Sequence, residues 1–340
     1  MSNLPQRVLI LCTVEAGLDT LSELVRLDFL PHAIVGLHPD KVNPEKVSGY
    51  LDVAPAAKSL GINFVYVNSY SLTDNLDKDN IEKLNPDLIL VLGWQRLVPE
   101  WLIKLPQFGV LGGHGSPDGI NGGRGRSPQN WAIMLGCQKF DLSLFRITSG
   151  VDEGPVLETR SFYYTAQDDI RVSYYRASLL MAEMINEVLI DPTKLSGGDY
   201  QEVQGFYYPQ RKPEDGWVDW TLCTLQIEAH CRALTKPYPG LITSNNNTVI
   251  NIWKCQHFDD RIESTVGVIG ACFETGEFLV NCKNGRLLVR EWSSDNKLWR
   301  PRASLNLDGK KWQVQLQTVI DRHNKKYPEY PLSPRILRNS

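Results

Sequence analysis

The chain has 340 residues, 42% of them apolar and 22% charged, with 36 Lys and Arg against 39 Asp and Glu and a formal charge of −3. That length fits two domains with a buried core in each. The near-neutral charge argues against a chain whose main business is non-specific binding to phosphate backbones.

Residues 8–13 form a short β-branched run that a Gly-containing turn ends, and residues 18–27 then space leucines at helical intervals. The alternation continues with predicted strands at 33–37, 63–67 and 88–92 and predicted helices at 51–60 and 79–84. Such repetition predicts an α/β domain with a mostly parallel sheet covered on both faces. The first turn, CTVEAGLD, lacks G-x-G-x-x-G and so carries no dinucleotide fingerprint.

After Trp94 the pattern runs through a loop to GGHGSPDGINGGRGR, residues 112–126, where seven glycines surround one histidine. A helix is predicted at 128–135, strands at 142–147 and 156–163 around the turn 148–155, and a long amphipathic helix at 170–190. Residues 1–200 are read as one domain, 201–212 as a linker, 213–300 as a small barrel of short strands, and 301–340 as a tail. Within that tail, only an amphipathic stretch near 312–323 shows a pattern. The seven cysteines have no C-x-x-C spacing and read as reduced core thiols, so no metal is expected. No segment is apolar for long enough to serve as a signal or membrane span, which makes the cytoplasm the default address.

Loops at the carboxyl ends of strands carry ligands and chemistry in doubly wound sheets. His114 and Asp152 are placed on such loops: an imidazole accepts a proton near neutral pH, and a carboxylate beside it orients it. On residue type alone, His114 can equally be a hydrogen-bonded loop residue and Asp152 a turn former. Arg124 and Arg126 either hold an anion or solvate the loop. The aromatic residues Tyr207, Tyr208, Trp217 and Trp220 read as packing rather than as a stacking platform.

The segments PDLILVLGWQRLVPEWL, HGSP followed by RGRSPQNWAIMLG, and LSLFRITSGVDEGPVL resemble the 10-formyltetrahydrofolate-dependent formyltransferases. RKPEDGWVDW, IEAHCRALTKPYPGLIT and INIWKCQ are similar to the carboxy-terminal barrel of methionyl-tRNA formyltransferases, so the resemblance covers most of residues 5–290. It implies a Rossmann-like domain followed by a small OB-like β-barrel, with 10-formyltetrahydrofolate as co-substrate. It also implies an active site of Asn, His and Asp, with His114 and Asp152 matching the last two. Leu92, Gly93, Trp94 and Leu97, with Thr148, Gly150 and Val151, are expected to line the folate pocket, although Trp94 and Leu97 also suit a core. Ser116 and Arg124 are expected on the acceptor.

The family's asparagine position is Gly112, and the spacing from His114 to Arg124 is two residues longer than in the family pattern H-x-S-L-L-P-x-x-R-G. Asn121 can take the vacant donor role, backbone N–H groups near Gly112 and Gly113 can take it, or catalysis is lost and a folate- or nucleotide-binding module remains. Of the acceptors this family uses, glycinamide ribonucleotide is disfavoured by the second domain. The segment LHPDKVNPEKVSGYLDVAPAAKSLGI lacks the basic block of tRNA-acting relatives and is closer to the formyltransferases of nucleotide-linked amino sugars. Lys310, Lys311, Lys325 and Lys326 keep initiator tRNA open, and a homodimer through the barrel and tail is a further expectation.

Overall fold

The computed structural model describes residues 4–43, 47, 49–201, 206–263 and 265–333. Its first elements are β1 (Val8–Leu11), α1 (Glu15–Arg26), β2 (Ala33–Leu37), α2 (Ala54–Ser59), β3 (Asn63–Val67), α3 (Asn75–Leu84), β4 (Leu88–Val91), α4 (Glu100–Lys104) and β5 (Val110–Ser116). They are followed by α5 (Gly119–Gly122), β6 (Arg124–Gly125), α6 (Pro128–Met134), β7 (Lys139–Arg146), β8 (Val156–Tyr163) and α7 (Ile170–Ile190). Then come β9 (Tyr207–Tyr208), α8 (Thr224–Leu234), β10 (Leu241–Asn245), β11 (Thr248–Asp259), β12 (Ile269–Cys272), β13 (Phe278–Cys282), β14 (Gly285–Ser294) and α9 (Trp312–Lys326).

The first sheet has the order β3-β2-β1-β4-β5-β7-β8. Strands β1 to β5 pair in parallel, and β7 runs antiparallel to β5. Strands VLIL, AIVGL and LILV are apolar almost throughout because both sheet faces are covered. The chain works outward to β3 and returns to β4, so the order reverses between β1 and β4, where α/β sheets open a crevice. There the Thr13 hydroxyl donates to the Gly93 carbonyl at 3.0 Å and ties the two strand ends together.

One expectation changes here: residues 110–116 are not a loop but strand β5, registered on β7 from Leu111↔Arg146 to Ser116↔Asp141. The glycines concealed it, since glycine is a poor strand former on propensity. They are present for close approach. A Cβ on Gly112 would lie 2.8 Å from Ile147 Cδ1, and one on Gly113 would lie 2.1 Å from the Met181 methyl.

The domain boundaries also differ from the linear division. One compact unit is Met1–Arg124, Asp141–Phe162 and Tyr174–Gly205; the other is Gly125–Phe140, Tyr163–Ser173 and Phe206–Ser340. Helix α6 belongs to the second because its partners lie far along the chain: the Asn130 amide donates to the Ala233 carbonyl at 2.7 Å, and the Trp131 indole to that of Pro209 at 2.9 Å.

In the second unit, β10-β11-β14-β13-β12 form an antiparallel sheet. Residues 304–308, assigned to the tail by sequence, bond to both of its edges: Leu307 N to Gly267 O, Ile269 N to Leu305 O, and Asp308 N to Ser244 O. They close the sheet into a barrel and satisfy edges that would otherwise offer unpaired backbone groups. Helix α9 follows, burying Leu316, Val319 and Ile320 with Trp131, Tyr208 and Leu332. Residues 334–340 of the expected tail lie outside the described residues.

His230 on α8 is 8% exposed, and burial, assisted by Arg211 and opposed by Asp219, lowers its pKa to about 3. An unfolded histidine titrates near 6.5, so below that pH the unfolded chain binds the extra proton. The stability contributed at neutral pH is lost as pH falls from about 6.5 towards 3. Between pH 7 and 5 the protein should lose about 2 kcal/mol that His230→Gln does not lose. Urea unfolding followed by tryptophan fluorescence at both pH values checks this; equal losses in both proteins refute it.

Candidate active site

Strand β5 carries His114, whose register partner on β7 is Ser143. The turn after β7 starts at the Val110 end of β5, where Ile147 N bonds Val110 O, and doubles back to deliver Asp152. Asp152 has φ +51°, a left-handed conformation that Asp tolerates better than most residues. Its carboxylate Oδ2 lies 3.4 Å from His114 Nδ1, with the side chains 24% and 10% exposed respectively. On the other side of the ring, His114 Nε2 is 2.8 Å from the Gly123 carbonyl oxygen. A carbonyl only accepts, so Nε2 carries a proton and donates it. The imidazole therefore presents an N–H on one side while a carboxylate orients it from the other, and that N–H can stabilise an oxygen that gains negative charge.

Residues 123 and 124 act on the pair twice. Gly123 receives the His114 hydrogen bond, and Arg124 grips the Asp152 turn: its Nη1 lies 3.7 Å from Glu153 Oε1, and its Nη2 donates to Gln201 Oε1 at 3.1 Å. Gln201 in turn donates to the Gly154 carbonyl at 2.6 Å. The Arg124 side chain is only 1% exposed. It was expected on the acceptor; enclosed this way, it supports the turn.

Ser116 differs from expectation for a similar reason. It is fully buried, donating to the Gly119 carbonyl at 2.8 Å and accepting from Asp118 N at 3.1 Å, which closes the turn after β5. Asn121 sits exposed on α5, and its side chain makes no hydrogen bond, to His114 or otherwise, among the described residues. The longer loop brings the Gly123 carbonyl to His114 instead.

Of the residues expected around folate, Leu92 and Trp94 are buried, at 5% and 6% exposure, and Trp94 belongs to the sheet's hydrophobic core. Its ring centroid lies 4.8 Å from that of Tyr70, and its indole Nε1 has no hydrogen-bond partner among the described residues. Gly93 has φ +80°. Leu97 is 65% and Val151 40% exposed, while Thr148 and Gly150 are partly exposed. Sequence reasoning missed Tyr70, whose hydroxyl accepts from Gln95 N at 2.7 Å, as well as Glu153 and Gln201; none carries a local motif.

The Gly112 position has a structural counterpart in Ile147. A Cβ at 112 would lie 2.8 and 3.1 Å from its Cδ1 and Cγ1, so Ile147 fills the room that a longer residue needs. Gly112→Asn is expected to destabilise the fold by about 1–3 kcal/mol through overpacking. In the Gly112→Asn/Ile147→Ala double variant the combined loss should fall short of the sum of the single losses by at least about 1 kcal/mol. Strict additivity in denaturant titrations would show that the two residues do not compete for this space.

Among the described residues, no group of three or more His, Cys, Asp or Glu is arranged to hold a metal, and no helix is long and apolar enough to cross a membrane. The seven cysteines form no disulfide among the described residues.

Two family models match the chain: "Formyl transferase" over residues 33–189 and "Formyl transferase, C-terminal domain" over 211–306. The methionyl-tRNA formyltransferase of Geobacter sulfurreducens is 27% identical over 311 residues, covering 87% of this chain and 92% of that protein. Among solved structures, HypX from Aquifex aeolicus in complex with tetrahydrofolic acid is similar with a TM-score of 0.61 at 18% identity. The match covers 86% of this chain and 44% of HypX, so this chain spans less than half of that protein. The N-formyltransferase from Helicobacter canadensis, in complex with folinic acid and dTDP-3-aminofucose, is similar with a TM-score of 0.56 at 14% identity, covering 84% of this chain and 99% of that one. With both domain models matched in order along one chain, this protein belongs to the formyl transferase family, enzymes that use formyl-tetrahydrofolate.

Proposed function

We propose that this chain moves a formyl group from 10-formyltetrahydrofolate to the amino group of a nucleotide-linked amino sugar. The observation that carries the chemistry is the His114–Asp152 pair, with a protonated Nε2 on one side and a carboxylate on the other. When bound, the co-substrate supplies an electrophilic formyl carbon on N10, whose oxygen gains charge as an amine adds. His114 stabilises that charge from Nε2 once the Gly123 carbonyl gives way; Asp152 holds the ring and accepts the proton the amine must shed, and that proton goes to N10 as its bond to the formyl carbon breaks and tetrahydrofolate leaves.

The loops after β4 and β7 fit the co-substrate. Leu97 and Val151 offer exposed apolar surface to a planar ring, and the buried Trp94 Nε1 is a donor without a partner among the described residues. Leu92, Gly93, Thr148 and Gly150 contribute backbone alongside them.

The acceptor reading rests on charge. Residues 38–52, after β2, hold Lys41 and Lys46 against Asp40, Glu45 and Asp52; 44–46 and 48 lie outside the described residues. Asp52 also accepts from the Tyr66 hydroxyl at 2.9 Å. This balance suits a small acceptor better than a polyanion. Initiator tRNA is the second reading, favoured by the basic last turn of α9 with His323, Lys325 and Lys326 and by the likeness to a methionyl-tRNA formyltransferase.

A panel of amines with 10-formyltetrahydrofolate separates the two. Formylation of a nucleotide-linked amino sugar is expected. Turnover with methionyl initiator tRNA alone would replace the first reading by the second.

A further inference from the structure

The second unit contains a cleft of about 870 Å³, within the range of small-molecule sites. Its walls include the first turns of α8 and α9, helices of 11 and 15 residues. Both starts are capped: Trp312 N of α9 donates to the Asp219 carboxylate at 2.7 Å, and Thr224 N of α8 to Asn284 Oδ1 at 2.9 Å. Lys283 and Lys311, both exposed, stand on the same walls, with Lys311 Nζ held 2.9 Å from Thr221 Oγ1. Asp219 is the acid on the lining, and donors already occupy it. Its Oδ1 accepts from the Thr221 backbone and hydroxyl at 2.9 and 2.6 Å, and its Oδ2 from Trp312 N at 2.7 Å. With Lys283 and Lys311 against the one carboxylate of Asp219, this end of the cleft is net positive.

At that end lies His230, which is 8% exposed and whose side chain makes no hydrogen bond among the described residues. Burial keeps its imidazole neutral at physiological pH, so it offers one donor and one acceptor to whatever enters. The Trp312 ring stands 4.6 Å from the His230 ring, centroid to centroid, and Leu225 and Val314, 64% and 63% exposed, add apolar surface on the same lining. A net positive end, an aromatic face and an adjacent donor–acceptor pair match the phosphate, the ring and the hydrogen-bonding edge of a single nucleotide.

We propose that this cleft binds a nucleoside monophosphate. The phosphate lies between Lys283 and Lys311, and the base lies against Trp312 with its edge towards His230. The assignment does not depend on which amine the first unit formylates.

Isothermal titration of the full chain with AMP, ribose 5-phosphate and inorganic phosphate tests it. AMP should saturate one site with a dissociation constant on the order of 1 mM or tighter. Ribose 5-phosphate and inorganic phosphate should each bind at least about tenfold more weakly. The double variant Lys283→Ala/Lys311→Ala, altered only at exposed positions, should weaken AMP by at least about tenfold, while His114→Ala leaves it unchanged. The proposal is overturned if AMP does not bind, if the lysine variant binds AMP as tightly as the parent, if His114→Ala abolishes binding, or if ribose 5-phosphate matches AMP.

Discussion

Replacing His114 by Ala is expected to lower kcat/KM for formyl transfer by about 10³-fold, with the fold intact by circular dichroism. The variant removes the Nε2 donor that now points at Gly123 and the ring that Asp152 orients. No side chain at 112 is available to share the work, because Ile147 holds the adjacent volume. His114→Gln keeps an amide N–H but removes the imidazole, and it should fall between, about 10²-fold down. Rates are read by chromatographic separation of the formylated acceptor. A correctly folded His114→Ala enzyme within tenfold of the parent would remove the histidine from the chemistry.

Arg124 carries the next largest expectation. Its guanidinium is enclosed between Glu153 and Gln201, so Arg124→Met frees the turn that presents Asp152. A misplacement of about 1 Å in a catalytic group costs on the order of 10²-fold in rate, and that loss is expected in kcat. Stability should fall by about 2 kcal/mol, less than for a fully buried pair because Glu153 is 37% exposed and can be rehydrated. Arg124→Lys keeps the charge but not the fork that reaches both partners, so it should recover stability more than rate. The split between kinetic constants decides the role. A raised KM with unchanged kcat would mean that Arg124 contacts the acceptor, as its sequence position suggested.

The central strands were legible because burial on both faces leaves them apolar residue after residue, as in VLIL and LILV. Strand β5 was not, because close packing against Ile147 and Met181 selected glycines that read locally as a loop. His114 and Asp152 were reachable through the resemblance, yet the contacts that define their state were not. Gly123 acts through its carbonyl, which no side chain advertises, and Gln201 reaches the site from 77 residues beyond Arg124. The contacts of Arg124 were hidden for the same reason: an arginine in a polar loop reads as solvated or ligand-bound until its burial is known. Long-range pairing also hid the second unit's reach, since Asn130 finds Ala233 across 103 residues.

The interleaving of the two units sets a timetable for synthesis. Residues 125–140 and 163–173 leave the ribosome early but belong with the barrel, whose closing segment at 304–308 and helix α9 are made last. At roughly 5–20 residues per second, that delay is on the order of ten seconds. Throughout it Trp131, fully enclosed in the finished protein, lacks the α9 residues Leu316, Val319 and Ile320 that cover it. The nascent chain thus displays an apolar helix that a holding chaperone can bind. An amino-terminal half made alone would keep that helix uncovered indefinitely.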